Sequence, residues 1–371
     1  MVRPTFDRSA IHRASGLFAA ALLLLSSPLA AQAGPRIRPE GTDSSGKKRE
    51  SPWLIVPTFS LNPKLGASFG ALGAYMHYFD EKSRPSMFGL GGQYTTTKSA
   101  IASVFARASW DEDHQRLIAL LVAGKIRNDY DDYLGTGQPL KTDDKLFAVV
   151  ARYLYRVWGH WFIGPQGLYS NYQLLGESPT DDQILDVLGL KGFESAGLGI
   201  SLYRDNRDNE NSPHHGALVN VNNVAYRDWL VGDNNFDVYR VEIRAFIPNG
   251  KGHVLAIRQF NKLTSNAPPS AFAAIQLRGY KPGELLGEYM SSIEVEERFR
   301  LADRWTSTAF VGAAVLYGDS PTGGGFDNPY PDIGAGVQFV IKQKEGIVAN
   351  AEAAFGKDGE YGIYIKLGYA Y

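Results

Sequence analysis

The chain has 371 residues, with 38 Lys and Arg against 39 Asp and Glu, and this balance excludes the strongly basic face that nucleic-acid binding requires. It contains no cysteine, which excludes a disulfide framework, a thiolate metal site and a cysteine nucleophile. After the first 30 residues, no apolar run approaches the roughly 18 residues that a membrane helix needs. The 40 Gly, 20 Tyr, 19 Phe and 6 Trp favour short strands and tight turns, because each glycine inside a helix costs about 1 kcal/mol.

Residues 1–33 have the organisation of a secretory signal peptide. Arg3, Arg8 and Arg13 give a positive start, and an apolar run from Leu17 to Leu25 follows. Ala31-Gln32-Ala33 matches an A-x-A cleavage site. The alternative is an uncleaved anchor helix, for which the apolar run is too short. Export without cysteine indicates the periplasm or the outer membrane of a Gram-negative bacterium.

The segment after the leader, residues 34–51, is polar and has no periodicity. It predicts a flexible periplasmic lead that is too short to form a folded domain. From residue 52 to residue 371 the hydrophobic pattern has a period of two, which predicts strands throughout.

The final strand shows the pattern most clearly. One face carries only apolar or aromatic side chains, namely Tyr361, Ile363, Ile365, Leu367, Tyr369 and Tyr371. Its opposite face is small or polar. Tyrosines at both ends of an apolar face are typical of a lipid-facing strand, because aromatic rings lie at both membrane interfaces.

Residues 291–301 alternate in the same way. The apolar face is broken only by Glu297, and the other face carries Ser292, Glu294, Glu296, Arg298 and Arg300. Four charges on one face suit a watery lumen and not a packed core.

Counting such stretches gives about sixteen strands, an even number as a closed outer-membrane barrel requires. They are 53–60, 65–79, 87–95, 98–110, 115–127, 144–158, 160–174, 195–204, 216–227, 234–246, 251–263, 288–301, 304–317, 331–341, 345–355 and 359–371. The predicted fold is therefore an all-β, antiparallel transmembrane barrel.

The predicted links alternate in length, as short periplasmic turns and long outer loops would. The short links are 80–86, 111–114, 159, 247–250 and 302–303. The long links are 128–143, 175–194, 264–287 and 318–330. The link 205–215 is the exception, because it is long for the short side.

Enzyme motifs in the chain have plainer interpretations. Gly66-Ala67-Ser68-Phe69-Gly70 matches the G-x-S-x-G nucleophile elbow, but strand alternation continues through it, whereas the elbow needs a strand-to-helix turn. An outer-membrane phospholipase would need His and Ser on one face near the outer rim, and no such pair is evident. We expect no enzymatic activity, no metal and no cofactor.

Two further motifs lie in links. The cluster from Asp205 to Asn211 lacks calcium-loop spacing, and its Asp and Asn residues favour a turn capped through the backbone. Arg278-Gly279-Tyr280 lies in the longest link, where no turn requires an arginine. The alternative for Arg278 is a solvated loop side chain.

Taken together, these features resemble the BamA/TamA-like outer-membrane barrels, also called the bacterial surface antigen family. The resemblance rests on Arg278-Gly279-Tyr280 in the sixth outer loop and on inward Glu296 in the twelfth strand. It also rests on a periplasmic turn motif formed by Asp205, Arg207, Asp208, Asn209, Pro213 and Gly216. The chain resembles a short form of the family, without N-terminal periplasmic domains.

The resemblance implies that the sixth outer loop folds inward, with Arg278, Gly279 and Tyr280 at its tip and Glu296 as the lumen partner. The family's second acidic contact, an Asp in the thirteenth strand, is replaced by Gly312. We therefore expect Glu294 or Glu296 to serve Arg278 alone.

Two functions remain open at this stage. The resemblance implies a barrel that aids the insertion or passage of proteins or lipids through a weak seam between its first and last strands. Pro57 in the first strand suits such a seam, because proline cannot donate a ladder hydrogen bond. The alternative is a passive pore or a structural barrel. Expected partners are the lipid bilayer and lipopolysaccharide, an unknown protein or lipid client, and the assembly machinery. We expect that machinery to recognise Leu367, Tyr369 and Tyr371 as a C-terminal insertion signal.

Overall fold

The computed structural model describes residues 51–62, 66–130, 140–173, 192–232, 234–268, 271–280, 285–320, 325–343 and 346–367. The predicted signal peptide, almost all of the lead, Tyr369 and Tyr371 lie outside these residues. None of the helices in the described ranges is long and apolar enough to cross a membrane.

Sixteen antiparallel strands form a closed barrel in which each strand pairs with its neighbours in the sequence, and the first strand pairs with the last. The strands are β1 (Trp53–Asn62), β2 (Gly66–His77), β3 (Ser86–Thr95), β4 (Ala100–Trp110), β5 (Gln115–Tyr130), β6 (Leu140–Trp158), β7 (Trp161–Gln173), β8 (Gly192–Asp205), β9 (Gly216–Tyr226), β10 (Phe236–Asn249), β11 (His253–Ser265), β12 (Tyr289–Arg300), β13 (Trp305–Tyr317), β14 (Tyr330–Lys342), β15 (Ile347–Phe355) and β16 (Tyr361–Leu367). The predicted fold class and strand count are confirmed.

The prediction of two kinds of link is also confirmed. The links predicted as short all lie at the end where β1 begins, and those predicted as long all lie at the other end. Short turns face the periplasm in outer-membrane barrels, so the end at which β1 begins is the periplasmic end. The Gly66–Gly70 motif lies in β2, as strand alternation predicts.

The outer wall of the barrel is apolar, with aromatic side chains at both ends. Trp53, Tyr155 and Trp305 are exposed near the periplasmic end, and Phe69, Tyr94, Tyr239 and Tyr361 near the other. Exposed aliphatic residues lie between these belts, among them Leu90, Val104, Ile243, Ile293 and Val311. A soluble monomer rarely exposes so large an apolar surface to water, whereas a membrane-spanning barrel exposes such a surface to lipid.

The inner wall is polar and charged. In β12, Glu294, Glu296 and Arg298 are buried inside while Ile293 and Phe299 are exposed outside. This alternation agrees with the predicted faces of the strand. Closure supplies a hydrogen-bonding partner to each spanning strand, which an open sheet in lipid would lack.

Candidate functional site

The described part of the loop between β11 and β12 is largely buried against the inner wall of the barrel. Ala273–Ala274 pairs with Leu286–Gly287 in a short ladder within the loop. Ile275, Leu277 and Tyr280 pack in one buried cluster with Phe260, Met290 and Leu316, which belong to β11, β12 and β13. Burying these apolar side chains stabilises the loop at about 25 cal/mol per Å² of surface removed from water.

Two cations of β11 hold the backbone of this loop. The Nζ atom of Lys262 donates hydrogen bonds to the carbonyl oxygens of Ala271 at 3.1 Å and Phe272 at 2.9 Å. Arg258 donates to the carbonyl oxygen of Gln276 at 3.3 Å. Lys262 is only 3% exposed, so the two carbonyl groups replace water that its ammonium group has lost. Sequence reasoning missed this residue, although its position on the inner face of β11 was a usable signal.

The guanidinium group of Arg278 lies between three carboxylates. It pairs with both oxygens of Glu294, through Nη2 at 2.7 Å and Nε at 3.2 Å, and its Nη1 donates to Glu296 at 2.7 Å and to Glu352 at 3.1 Å. The carbon of the guanidinium lies 3.2 Å from the centre of the Phe310 ring. A planar fork makes these contacts at once, which the single ammonium of a lysine does not.

The structure corrects the expectation that Glu294 or Glu296 serves Arg278 alone. Both contact it, and Glu352 of β15 is a third partner that sequence reasoning did not find. The alternation of β15, which buries Glu352 on the same face as Asn350, is the signal that would have indicated it.

Gly312, where the resemblance led us to look for an acidic residue, lies opposite Asp332 of β14. A Cβ atom at residue 312 would lie 2.4 Å from the Oδ1 atom of Asp332 and 3.1 Å from the Cγ atom of Glu294. The carboxyl group of Asp332 therefore fills the space that a side chain at position 312 would need. An acidic group is thus present beside position 312 but comes from the neighbouring strand, which sequence inspection at position 312 alone does not show.

Gly279 meets two requirements that another residue would not. Its φ angle is +91°, a left-handed conformation that favours glycine, and a Cβ atom would lie about 3.2 Å from the backbone of Phe355 and Gly356. Its N–H donates to the hydroxyl oxygen of Tyr364 at 3.0 Å. The backbone of the tip thus lies directly against β15 and β16.

Tyr280 completes the tip. Its hydroxyl group donates to the carbonyl oxygen of Pro331 at 2.5 Å and accepts from the N–H of Lys357 at 2.9 Å. Its ring meets that of Tyr330 edge to face, with centroids 6.1 Å apart. The three residues Arg278, Gly279 and Tyr280 therefore connect the loop to β12, β14, β15 and β16.

The predicted periplasmic turn motif forms a second charged cluster. Asp205, at the end of β8 and fully buried, accepts two hydrogen bonds from the guanidinium group of Arg207 at 2.8 and 3.0 Å and one from that of Arg84 at 2.6 Å. Gly216 has a φ of +101°, and a Cβ atom there would lie 2.4 Å from the carbonyl oxygen of Asn206. The turn begins at a paired carboxylate and ends at a position that favours glycine.

The other motif residues shape the turn from within. Asp208 accepts hydrogen bonds from the N–H groups of His214 and His215, and its pKa lies below the ordinary value because these contacts outweigh burial, which would raise it. Asn209 accepts from the N–H groups of Asn211 and Ser212. Such side-chain caps are what Asp and Asn provide in turns.

The predicted C-terminal signal is described only at its beginning. Leu367 is the last residue of β16 and pairs with Ala349 of β15. Tyr369 and Tyr371 lie outside the described residues.

With its apolar outer wall and charged interior, the barrel is that of a Gram-negative outer-membrane protein. Comparison with protein-family models and with curated protein sequences gives no match. Among solved structures, the chain is similar to BamA from Haemophilus ducreyi lacking POTRA domains 1–3, with a TM-score of 0.55 and 13% identity over 89% of this chain and 73% of that chain.

It is also similar to two CdiB structures. CdiB from Acinetobacter baumannii gives a TM-score of 0.59 and 11% identity over 87% of this chain and 61% of that chain. CdiB from Escherichia coli gives a TM-score of 0.61 and 9% identity over 90% of this chain and 67% of that chain. The chain thus spans less than two thirds of the Acinetobacter CdiB. The resemblance to BamA-like barrels drawn from the sequence is confirmed for the fold.

Proposed function

We propose that this protein aids the insertion or passage of proteins or lipids at the outer membrane, by opening its barrel between β1 and β16, and that it performs no enzymatic chemistry. The observation that carries the proposal is the short pairing at this seam. Within the described residues, β1 and β16 pair only at Phe59–Ile365, Ser60–Tyr364 and Leu61–Ile363. By contrast, β1 pairs with β2 along its whole length, from Trp53 to Asn62.

A sequence feature accounts for where this pairing stops. The register that joins Phe59 to Ile365 brings Pro57 opposite Leu367, and no pairing is present between them. Proline has no N–H to donate, so a ladder loses a hydrogen bond at that position. Within the described residues this pair of barrel strands has the fewest paired positions, so we expect it to separate before the others.

The loop tip lies beside the same seam. Gly279 contacts Tyr364 of β16, and Arg278 contacts Glu352 of β15. These contacts fix the C-terminal strands to the interior, so that β1 is the strand free to separate. Under this proposal the clients are protein or lipid, and the surrounding partners are bilayer lipid, lipopolysaccharide and the assembly machinery that recognises the C-terminus.

A disulfide across the seam tests the proposal, since the chain has no cysteine of its own. Phe59→Cys with Ile365→Cys joins residues that face each other at the seam. Val311→Cys with Ile333→Cys is the matched control, because those residues face each other on the outer wall of β13 and β14.

The assay is the insertion of a small eight-stranded barrel protein, diluted from urea, into liposomes that contain each variant. We expect faster insertion than into protein-free liposomes, loss of this gain when the seam disulfide forms, and recovery on reduction. The control disulfide should leave the rate unchanged. Equal insertion with a locked and an open seam would contradict the proposal, and a steady conductance in planar bilayers without any insertion activity would favour a passive pore.

A further inference from the structure

The link 206–215 between β8 and β9, hereafter the periplasmic turn, is long for its end of the barrel and is partly buried. Ser212 is only 6% exposed, and Pro213 is buried as well. A turn that extended into the periplasm would expose such residues to water. The burial therefore indicates that the turn folds back against other parts of the barrel.

One anchor of the turn lies on the side of β4 and β5. Glu210 pairs with Arg84 at 2.5 Å and with Arg107 of β4 at 3.1 Å. Burial alone would raise the pKa of Glu210, but the guanidinium groups of Arg107, Arg84 and Arg116 outweigh burial and hold its pKa well below the ordinary value. The carboxylate is thus ionised and held by several cations.

The other anchors lie across the barrel. The Nη1 atom of Arg298, on β12, donates to the carbonyl oxygen of Pro213 at 3.2 Å. Asn209 lies against the link between β14 and β15, where a Cβ atom at Gly346 would be 2.5 Å from its Oδ1 atom. Both contacts come from the same turn that holds Arg107 through Glu210.

The strand order shows what these contacts mean. In a closed ring of sixteen strands, β4 and β12 are eight strands apart in either direction, so Arg107 and Arg298 stand on opposite walls. The turn itself arises between β8 and β9, midway between them. Its contacts thus extend across the mouth of the barrel.

Apolar side chains beneath this crossing support the same conclusion. Phe246 and Val254 lie on the inner face of β10 and β11 near the periplasmic end, and each is only 4% exposed. An open, water-filled mouth would leave such side chains in contact with water.

We propose that the periplasmic turn is a plug that closes the periplasmic mouth of the barrel, and that the ion pairs of Glu210 with Arg84 and Arg107 latch it shut. Passage between the periplasm and the lumen then requires displacement of the turn. This inference is independent of the seam, because a barrel with an inert seam would still be closed at this end.

Thiol labelling tests the plug in the purified full-length chain in detergent. Val254→Cys places the only thiol of the chain beneath the turn, and a fluorescent maleimide reports its access to water. We expect slow labelling, and about tenfold faster labelling when Glu210→Gln or Arg84→Gln is added, because the reagent reaches the thiol only in the opened population.

The matched control is Glu112→Gln, which removes the exposed ion pair with Lys82 at the same end of the barrel and should leave the rate unchanged. Fast labelling without any latch change, or a rate that neither Glu210→Gln nor Arg84→Gln alters in a barrel that keeps its heat modifiability, would overturn the proposal.

A second measurement locks the turn by a cross-link instead of releasing it. The amide of Asn211 lies 3.5 Å from the guanidinium group of Arg107. Arg107→Cys with Asn211→Cys, joined by a short bifunctional thiol reagent that contains a disulfide, should suppress openings in planar-bilayer recordings, and reductant should restore them. Openings of unchanged frequency after cross-linking would also overturn the plug.

Discussion

Replacing Arg278 with alanine would leave Glu294, Glu296 and Glu352 without the cation that joins them. These three carboxylates are each at most 4% exposed, so their mutual repulsion is poorly screened. Removing one partner of a buried ion pair costs about 3–5 kcal/mol, and we expect a loss of barrel stability in this range for Arg278→Ala. The outer wall does not depend on the arginine, so membrane insertion should be largely retained.

Glu296→Gln should cost less than Arg278→Ala. The arginine keeps Glu294 and Glu352, and the loss is that of one charged hydrogen bond, about 1.5–3 kcal/mol. In the double variant, one of the repelling carboxylates is already neutral. We therefore expect the double variant to be no worse than Arg278→Ala alone, a coupling typical of residues in one network.

The measurement is the urea midpoint and the temperature at which the purified barrel loses its heat-modifiable mobility in gel electrophoresis. Arg300→Ala is the matched control on the same strand, since its ion pair with Asp303 is exposed and worth about 0–1 kcal/mol. Losses that add fully in the double variant, or a normal midpoint for Arg278→Ala, would refute the reasoning.

Three further outcomes are expected. Gly312→Asp should destabilise the barrel because its side chain would meet that of Asp332, whereas Gly312→Asp combined with Asp332→Gly should restore stability because a single carboxyl group, now on β13, occupies that space, as urea midpoints would show. Tyr371→Asp should reduce the amount of heat-modifiable barrel in outer-membrane fractions, because a charge replaces an aromatic residue of the predicted C-terminal signal, and normal amounts would contradict that role. Since the pKa of Glu210 is lowered in the folded protein, its contribution to closure is full above the ordinary value of 4.5 and is lost as the pH falls through the lowered pKa. Measured relative to the same thiol in the urea-unfolded chain at each pH, which corrects for the loss of reactive thiolate in acid, labelling of Val254→Cys should accelerate only under such acidic conditions, and the acceleration should be absent from Glu210→Gln.

The sequence by itself determined the class of fold and most of its strands. A spanning strand has lipid on one face and a polar interior on the other, so its alternation is written locally, as in β12. The same local rule showed that Gly66–Gly70 is part of a strand. Arg278 was noticed for a different reason, because it lies in a link where no turn requires an arginine. The predicted strand bounds also identified the link 205–215 as longer than the other links predicted for the periplasmic end.

Only the tertiary structure decided which charges meet. Arg278 is separated by 74 residues from Glu352, and Arg298 by 85 from Pro213. No periodicity links such distant positions, because their contact depends on barrel closure and on where residues of two links meet strands far along the chain. The surroundings of Gly312 were decided in the same way, since the space beside it is filled by Asp332 from the neighbouring strand. The face on which a side chain lies follows from the alternation of residues along its own strand. Which charged side chains pair depends on the closure of the whole barrel.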